Sequence, residues 1–234
     1  SSNANANSNA NSNVTANSNA NAKNQTAEKP PEVKAFENNL AGTWVSDNEK
    51  LIFGPDRYLR YKNGKLAYND AYRAVDKENI EYRTGEFRKG KSKITFENGN
   101  ATLVWTDPYG QGGTYKRESN DSNLSVGNSL RDKLIGNWVG IAGTNSEKQN
   151  LSIFSNTTYY YSSEDYWYSF PSEGIWSSYT IAVKDDKTVD LKGVQNEKNG
   201  TPSNIQIKAS VDGNVMSVEE NGVTKKFNRQ TTVD

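Results

Sequence analysis

The chain contains no cysteine and no histidine, a single methionine, and six prolines among 234 residues. Without Cys or His it can build no disulfide framework, no Ser-His-Asp or Cys-His catalytic group, and no His- or Cys-ligated zinc or iron site. No run approaches the roughly 18 apolar residues that a helical membrane span needs. Neither sign of charge is in excess: 28 Lys+Arg stand against 28 Asp+Glu. The chain therefore has no long-range field to hold nucleic acid or an acidic membrane surface. A hydrophobic fraction of 33% and a mean hydropathy of −0.91 leave little material for one large core, so two small domains are expected.

Residues 1–22 hold nine Asn, six Ala, five Ser, one Val and one Thr, with no charge and no aromatic ring. Such a segment cannot bury enough apolar area to offset about 1–2 kcal/mol of backbone ordering per residue, and disorder is expected. Composition shifts over Ala22–Lys34, where Pro30-Pro31 stiffens the chain ahead of the first apolar residues. Residues 1–39 are assigned to this tether and linker.

The remainder is one pattern written twice. Leu40–Val45 (LAGTWV) returns as Leu134–Val139 (LIGNWV), and Lys50–Tyr61 parallels Asn150–Tyr161, with Phe53 over Phe154 and Tyr58 over Tyr159. Asn100–Arg117 then parallels Asn214–Arg229. The repeats set domain 1 at 40–118 and domain 2 at 133–230, joined by a Ser/Asn/Gly-rich linker at 119–132 and followed by a tail at 231–234. Within each repeat the apolar period is two, as in Leu51/Phe53, Ile94/Phe96, Leu103/Trp105, Ile205/Ile207 and Met216/Val218. Asn-Gly or Asp-Gly pairs at 62–65, 97–100, 211–214 and 220–223 supply the positive φ of type I′ hairpins. Short helical turns are expected at Glu32–Asn39 and Ser129–Leu134. The fold class is all-β: two tandem small antiparallel up-and-down barrels or meanders behind a disordered tether.

A helical turn, then Gly-x-Trp opening the first strand, then an Arg closing the last, resembles the lipocalin-like (calycin) pattern. More narrowly, the tandem arrangement resembles bacterial lipoproteins with small lipocalin-like repeats, whose polar spacer the Asn/Ser/Ala tract is similar to. The likeness covers most of residues 40–230. It implies that Trp44 with Arg117, and Trp138 with Arg229, form the floor of each barrel, the guanidinium lying across the indole face. It also implies export to the bacterial cell envelope or surface, with membrane attachment only through an N-terminal lipid anchor.

The densest local feature is Thr158–Trp176 (TYYYSSEDYWYSFPSEGIW), which carries eight aromatic rings. Strand alternation buries about half of such rings, and exposed Tyr and Trp are favoured at binding surfaces. Tyr160, Tyr161, Tyr166, Trp167, Tyr168 and Trp176 are the candidate contact residues; the competing reading is an outward strand face where Tyr simply suits a sheet. Glu164/Asp165 and Asp185/Asp186 read as solvated turn charges, because adjacent strand residues point to opposite faces and make no acid/base couple. Arg88, Lys89, Lys91 and Lys93 read as a solvated hairpin tip, and Trp105–Gly113 as a wide Gly-rich turn.

The function expected is binding without catalysis, by a monomer that needs no cofactor or metal. The Tyr/Trp-rich surface of domain 2 would contact a protein or glycan partner, and nucleic acid is not expected. The alternative is a carrier of a small hydrophobic ligand inside the domain 2 barrel, with Tyr160, Trp167 or Trp176 turned inward.

Overall fold

Period-two segments separated by left-handed turns have one efficient way to bury a single face each, which is to curl until the first and last strands pair. A computed structural model of the chain, describing residues 28–83, 89–110, 112–155, 164–171, 177–195 and 201–234, shows this closure twice.

The first barrel follows helix α1 (Pro31–Leu40) and comprises β1 (Gly42–Val45), β2 (Glu49–Phe53), β3 (Arg57–Lys62), β4 (Lys65–Ala74), β5 (Asn79–Arg83), β6 (Lys89–Glu97), β7 (Thr102–Thr106) and β8 (Gly112–Ser119). The second follows helix α2 (Leu130–Leu134) and comprises β9 (Gly136–Gly140), β10 (Gln149–Ser155), β11 (Asp165–Pro171), β12 (Ser177–Val183), β13 (Thr188–Gln195), β14 (Thr201–Asp212), β15 (Val215–Glu220) and β16 (Val223–Arg229). Every neighbour is antiparallel and consecutive, and β8 returns to β1 as β16 returns to β9. The sequence-assigned tether of residues 1–22 lies outside the described residues.

Two of the four expected type I′ turns form as expected, whereas at 97–100 Glu97 pairs with Thr102 and the loop takes four residues. Asn63-Gly64 and Asn221-Gly222 both have positive φ and close two-residue loops, the type I′ requirement. At 211–214 the expectation shifts by one position: Asp212 pairs with Val215, so the loop is Gly213-Asn214 and only Gly213 is left-handed. Trp105, expected on a wide turn, lies instead on β7 in the core, and of the two aromatics of that stretch it is Tyr109 that is exposed.

α1 buries Val33, Phe36 and Leu40 against Trp44 and the rings of barrel 1, so residues 31–39 belong to the folded unit rather than to the linker. α2 starts at a Ser129 cap whose hydroxyl accepts from the Asp132 amide, and it buries Leu130 and Leu134.

Each helix ends on carbonyls that the barrel floor satisfies. In barrel 1, Trp44 Nε1 donates to Leu40 O at 2.8 Å, while Arg117 donates to Ala41 O at 3.0 Å and to Asn39 O. In barrel 2, Trp138 Nε1 donates to Leu134 O at 2.8 Å, and Arg229 donates to Ile135 O at 2.8 Å and Lys133 O at 2.6 Å. Both guanidinium carbons lie 4.0 Å from the indole centroid. The orphan carbonyls of a helix end are thus bound by an indole and a guanidinium that also cover the barrel interior.

The glycine of Gly-x-Trp has a steric reason. Gly136 sits at φ +138, and a Cβ there would fall 2.5 Å from Arg229 Nη1 and 3.0 Å from Asn69 O.

The barrels are packed together. Ile52, Leu59 and Leu66 of barrel 1 belong to the same apolar cluster as Leu130, Leu134 and Trp138 of barrel 2. β4 runs alongside β9 and β10. Among the described residues it pairs with β5 over Tyr72–Ala74. Asp234 returns to barrel 1, accepting from Arg73 at 2.6 Å and Lys89 at 2.8 Å.

Candidate functional site

β10 and β11 pair in register over Asn150↔Phe170, Ser152↔Tyr168, Ile153↔Trp167 and Phe154↔Tyr166. Alternation then splits the aromatics of β11. Trp167, expected among the contact residues, is 4% exposed and packs in the core with Ile153 and Tyr179, its register neighbours on either side. Tyr166, Tyr168 and Phe170 take the outer face and are half-buried. Tyr160, Tyr161 and Trp176 lie outside the described residues.

On that outer face the rings form a stack. Phe154 lies 5.5 Å from Tyr168 at 4° and 6.1 Å from Tyr166 at 28°. Tyr168 lies 6.2 Å from Phe170 at 20°, and 6.2 Å from Tyr166 at 24°. The fifth member comes from barrel 1: Tyr68 on β4 stacks on Phe154 at 5.9 Å and 10°. Sequence reasoning does not single out Phe154, Phe170 or Tyr68 for this role. Phe154 and Phe170 follow from β11 alternation and β10 register, whereas Tyr68 carries no sequence signal, because its place depends on how the barrels dock.

Asp165 lies on the inward side of β11 with Trp167, paired with Ile181 of the core. Asp165, read from sequence as a solvated turn charge, accepts from Arg131 Nε at 2.6 Å and Nη2 at 2.8 Å, a bidentate pair. Arg131 also donates to Leu66 O of barrel 1 at 3.0 Å. Burial opposes the Arg131 charge, but the hydrogen bonds and charges of Asp165 and Asp132 outweigh it and raise its pKa. Beyond β11 an open cleft of about 580 Å³ mixes Ile181, Leu191 and Ile205 with Asp190, Lys192 and Gln206, and Gln206 donates to Asp190 at 2.8 Å.

Behind the aromatic face, Asp70 is buried where the barrels meet and accepts from Asn137 Nδ2 at 3.1 Å. Burial pushes its carboxyl up to about 8, against the smaller opposing effect of that hydrogen bond.

The interior of barrel 1 is occupied by its own side chains. Phe53, Tyr58, Tyr72, Tyr82 and Trp105 interlock with centroids 5.3–6.3 Å apart. Glu49 accepts from Tyr115 Oη at 2.5 Å, from Arg60 at 2.8 Å, and pairs with Lys62 at 3.3 Å. Burial alone would raise the Glu49 pKa; the Arg60 charge, the Tyr115 hydroxyl and Lys62 hold it below the ordinary value. The same burial lowers Lys62 and raises Tyr115.

Among the described residues, no three acidic side chains converge as a metal site would require, and no helix is long and apolar enough to cross a membrane. Asp185 spends its carboxylate on the Lys187 and Thr188 amides of its own turn. Lys89 of the expected basic hairpin is bound to Asp234, and Arg88 lies outside the described residues.

No family model matches the chain, and no curated protein or solved structure matches it. Its architecture, two tandem closed eight-stranded antiparallel barrels, is consistent with the lipocalin-like pattern.

Proposed function

We propose that this chain is a non-enzymatic binding module of a bacterial envelope lipoprotein, and that it grips a protein partner through the outer aromatic face of barrel 2. The observation that carries the reading is the five-ring stack of Tyr68, Phe154, Tyr166, Tyr168 and Phe170, half-buried on a sheet face. Aromatic anchors are the usual core of a protein interface. A protein partner suits the stack better than a glycan, because each ring is already stacked on a neighbour of the set. The packed rings and ion cluster in barrel 1 weigh against a carrier there. Setting and attachment rest on the Asn/Ser/Ala-rich composition of residues 1–22, which suits a spacer between membrane and fold.

The test places a photo-cross-linking amino acid at Ser178, opposite Tyr168 on β12, and irradiates the protein in envelope extract. One discrete cross-linked protein, lost in the Tyr166→Ala/Tyr168→Ala double variant, is the expected result. No discrete product, or one that the double variant retains, overturns the reading. Native mass spectrometry of the gently purified chain checks the carrier alternative: a small-molecule adduct released on denaturation would favour it.

A further inference from the structure

Three features converge at the seam between the barrels. Asp70 is 4% exposed, and its hydrogen-bond donor among the described residues is the Asn137 amide. Asn137 is held in that orientation because Ser152 Oγ donates to its carbonyl at 2.7 Å, which leaves the NH2 group turned to Asp70. Both Asn137 and Ser152 are themselves buried, on the two strands of barrel 2 that β4 lies against.

An ionised carboxylate needs several donors or a cation to be tolerated out of water. Among the described residues, the groups around Asp70 do not supply them. From β3 comes Tyr58, directly opposite in register, and from β5 comes Tyr82; burial raises both phenols, and a negative Asp70 raises them further. The nearby cations are committed elsewhere: Arg60 to Glu49, and Arg229 to the carbonyls closing α2. Arg57 on β3 feels the opposing charge of Asp56 and lowers the pKa of Arg229; its Nη1 is buried with no hydrogen-bond partner among the described residues. A neutral carboxyl fits this environment and a charged one does not, in keeping with a pKa pushed up to about 8 by burial.

Two residues before Asp70 on the same strand is Tyr68, the one ring that barrel 1 contributes to the aromatic stack. We propose that Asp70 is a proton-operated clasp: with its carboxyl neutral the seam is closed and Tyr68 completes the stack on Phe154, and with its carboxyl ionised water enters the seam and Tyr68 is drawn off. The partner-binding face is therefore whole below neutral pH and loses a member in mild alkali. The clasp matters for function only if the aromatic face takes a partner, as proposed above; its chemistry does not depend on a partner and is read without one.

The test is an NMR titration of the full chain from pH 5 to 9.5, following the ring signals of Phe154 and the side-chain carboxyl carbons of the aspartates. One aspartate carboxyl should titrate with a midpoint between 7 and 9, and the Phe154 signals should shift with the same midpoint. In Asp70→Asn, Phe154 should stay at its low-pH position throughout. If Asp70→Asn does not fold, the wild-type titration alone decides. The proposal is overturned if no aspartate carboxyl titrates above pH 6, if Phe154 is indifferent to pH, or if it shifts equally in Asp70→Asn.

Discussion

Tyr68 and Phe154 lie 5.9 Å apart and within 10° of parallel, yet they belong to different barrels. The aromatic face is thus a joint product of two domains, and its perturbations separate into effects on one barrel, on the other, or on the seam between them.

Trp167 and Tyr168 are chain neighbours with opposite fates. Trp167→Ala empties a core position and should cost the second barrel about 3–5 kcal/mol. Tyr168→Ala, half-buried on the outer face, loses three stacked ring contacts but leaves no core cavity, and should cost about 1–2 kcal/mol, clearly less than Trp167→Ala. Urea denaturation of the two variants checks the contrast, and equal losses would place both rings in the core.

Gly136→Ala should destabilise by about 1–3 kcal/mol, because the backbone sits at positive φ and the new methyl meets the Arg229 guanidinium. A thermal midpoint within a degree of wild type would contradict this placement of the glycine.

Arg229 holds two carbonyls and an indole while itself almost wholly buried, and burial, together with Arg57, brings its pKa down to about 9. A lysine ammonium cannot fork to both carbonyls and cover the ring, so Arg229→Lys should cost about 2–4 kcal/mol. Arg117→Lys, at the same place in a more exposed setting, should cost less. Equilibrium unfolding of the pair is the check.

Stability should fall on both sides of mildly acidic pH, for opposite reasons. Asp70 has a folded pKa raised to about 8, so its contribution is complete below the ordinary aspartate value and is lost as pH rises through about 8. Glu49 has a lowered folded pKa, so its contribution is present above the ordinary glutamate value and is lost as pH falls. Asp70→Asn should flatten the alkaline limb by on the order of 2–5 kcal/mol and leave the acid limb in place. Urea midpoints measured from pH 3 to 9 distinguish the two limbs.

Much of this fold is written locally. Alternation fixes β2, β7 and β15, Asn-Gly pairs mark the turns after β3, β6 and β15, and the recurrence of Gly-x-Trp with a distant Arg marks two equivalent units. What escapes is phase and docking. Over Tyr166–Tyr168 every position is aromatic, so a period of two has no polar member to show which ring faces inward, and the buried one is found only from its register with Ile153 and Tyr179. Asp70 and Asn137 are ordinary surface residue types that are buried because two convex sheets meet at them, and no local pattern encodes which faces of separate domains will touch. Glu49 is a similar case: an acid at an inward strand position is legible only once Arg60, Lys62 and Tyr115 converge on it.

The pairing of each first strand with the last strand of its own unit bears on how the chain is made. Domains generally fold as units, the N-terminal one first during synthesis. Barrel 1 has all its strands once β8 has left the ribosome and can close before α2 exists, with Arg117 arriving last to seat Trp44. Ile52, Leu59 and Leu66 must then wait, uncovered, until the second unit is synthesised. In the interval the nascent chain carries an apolar patch on an otherwise finished domain, and a ribosome stalled between the two barrels would expose it to aggregation or chaperone capture.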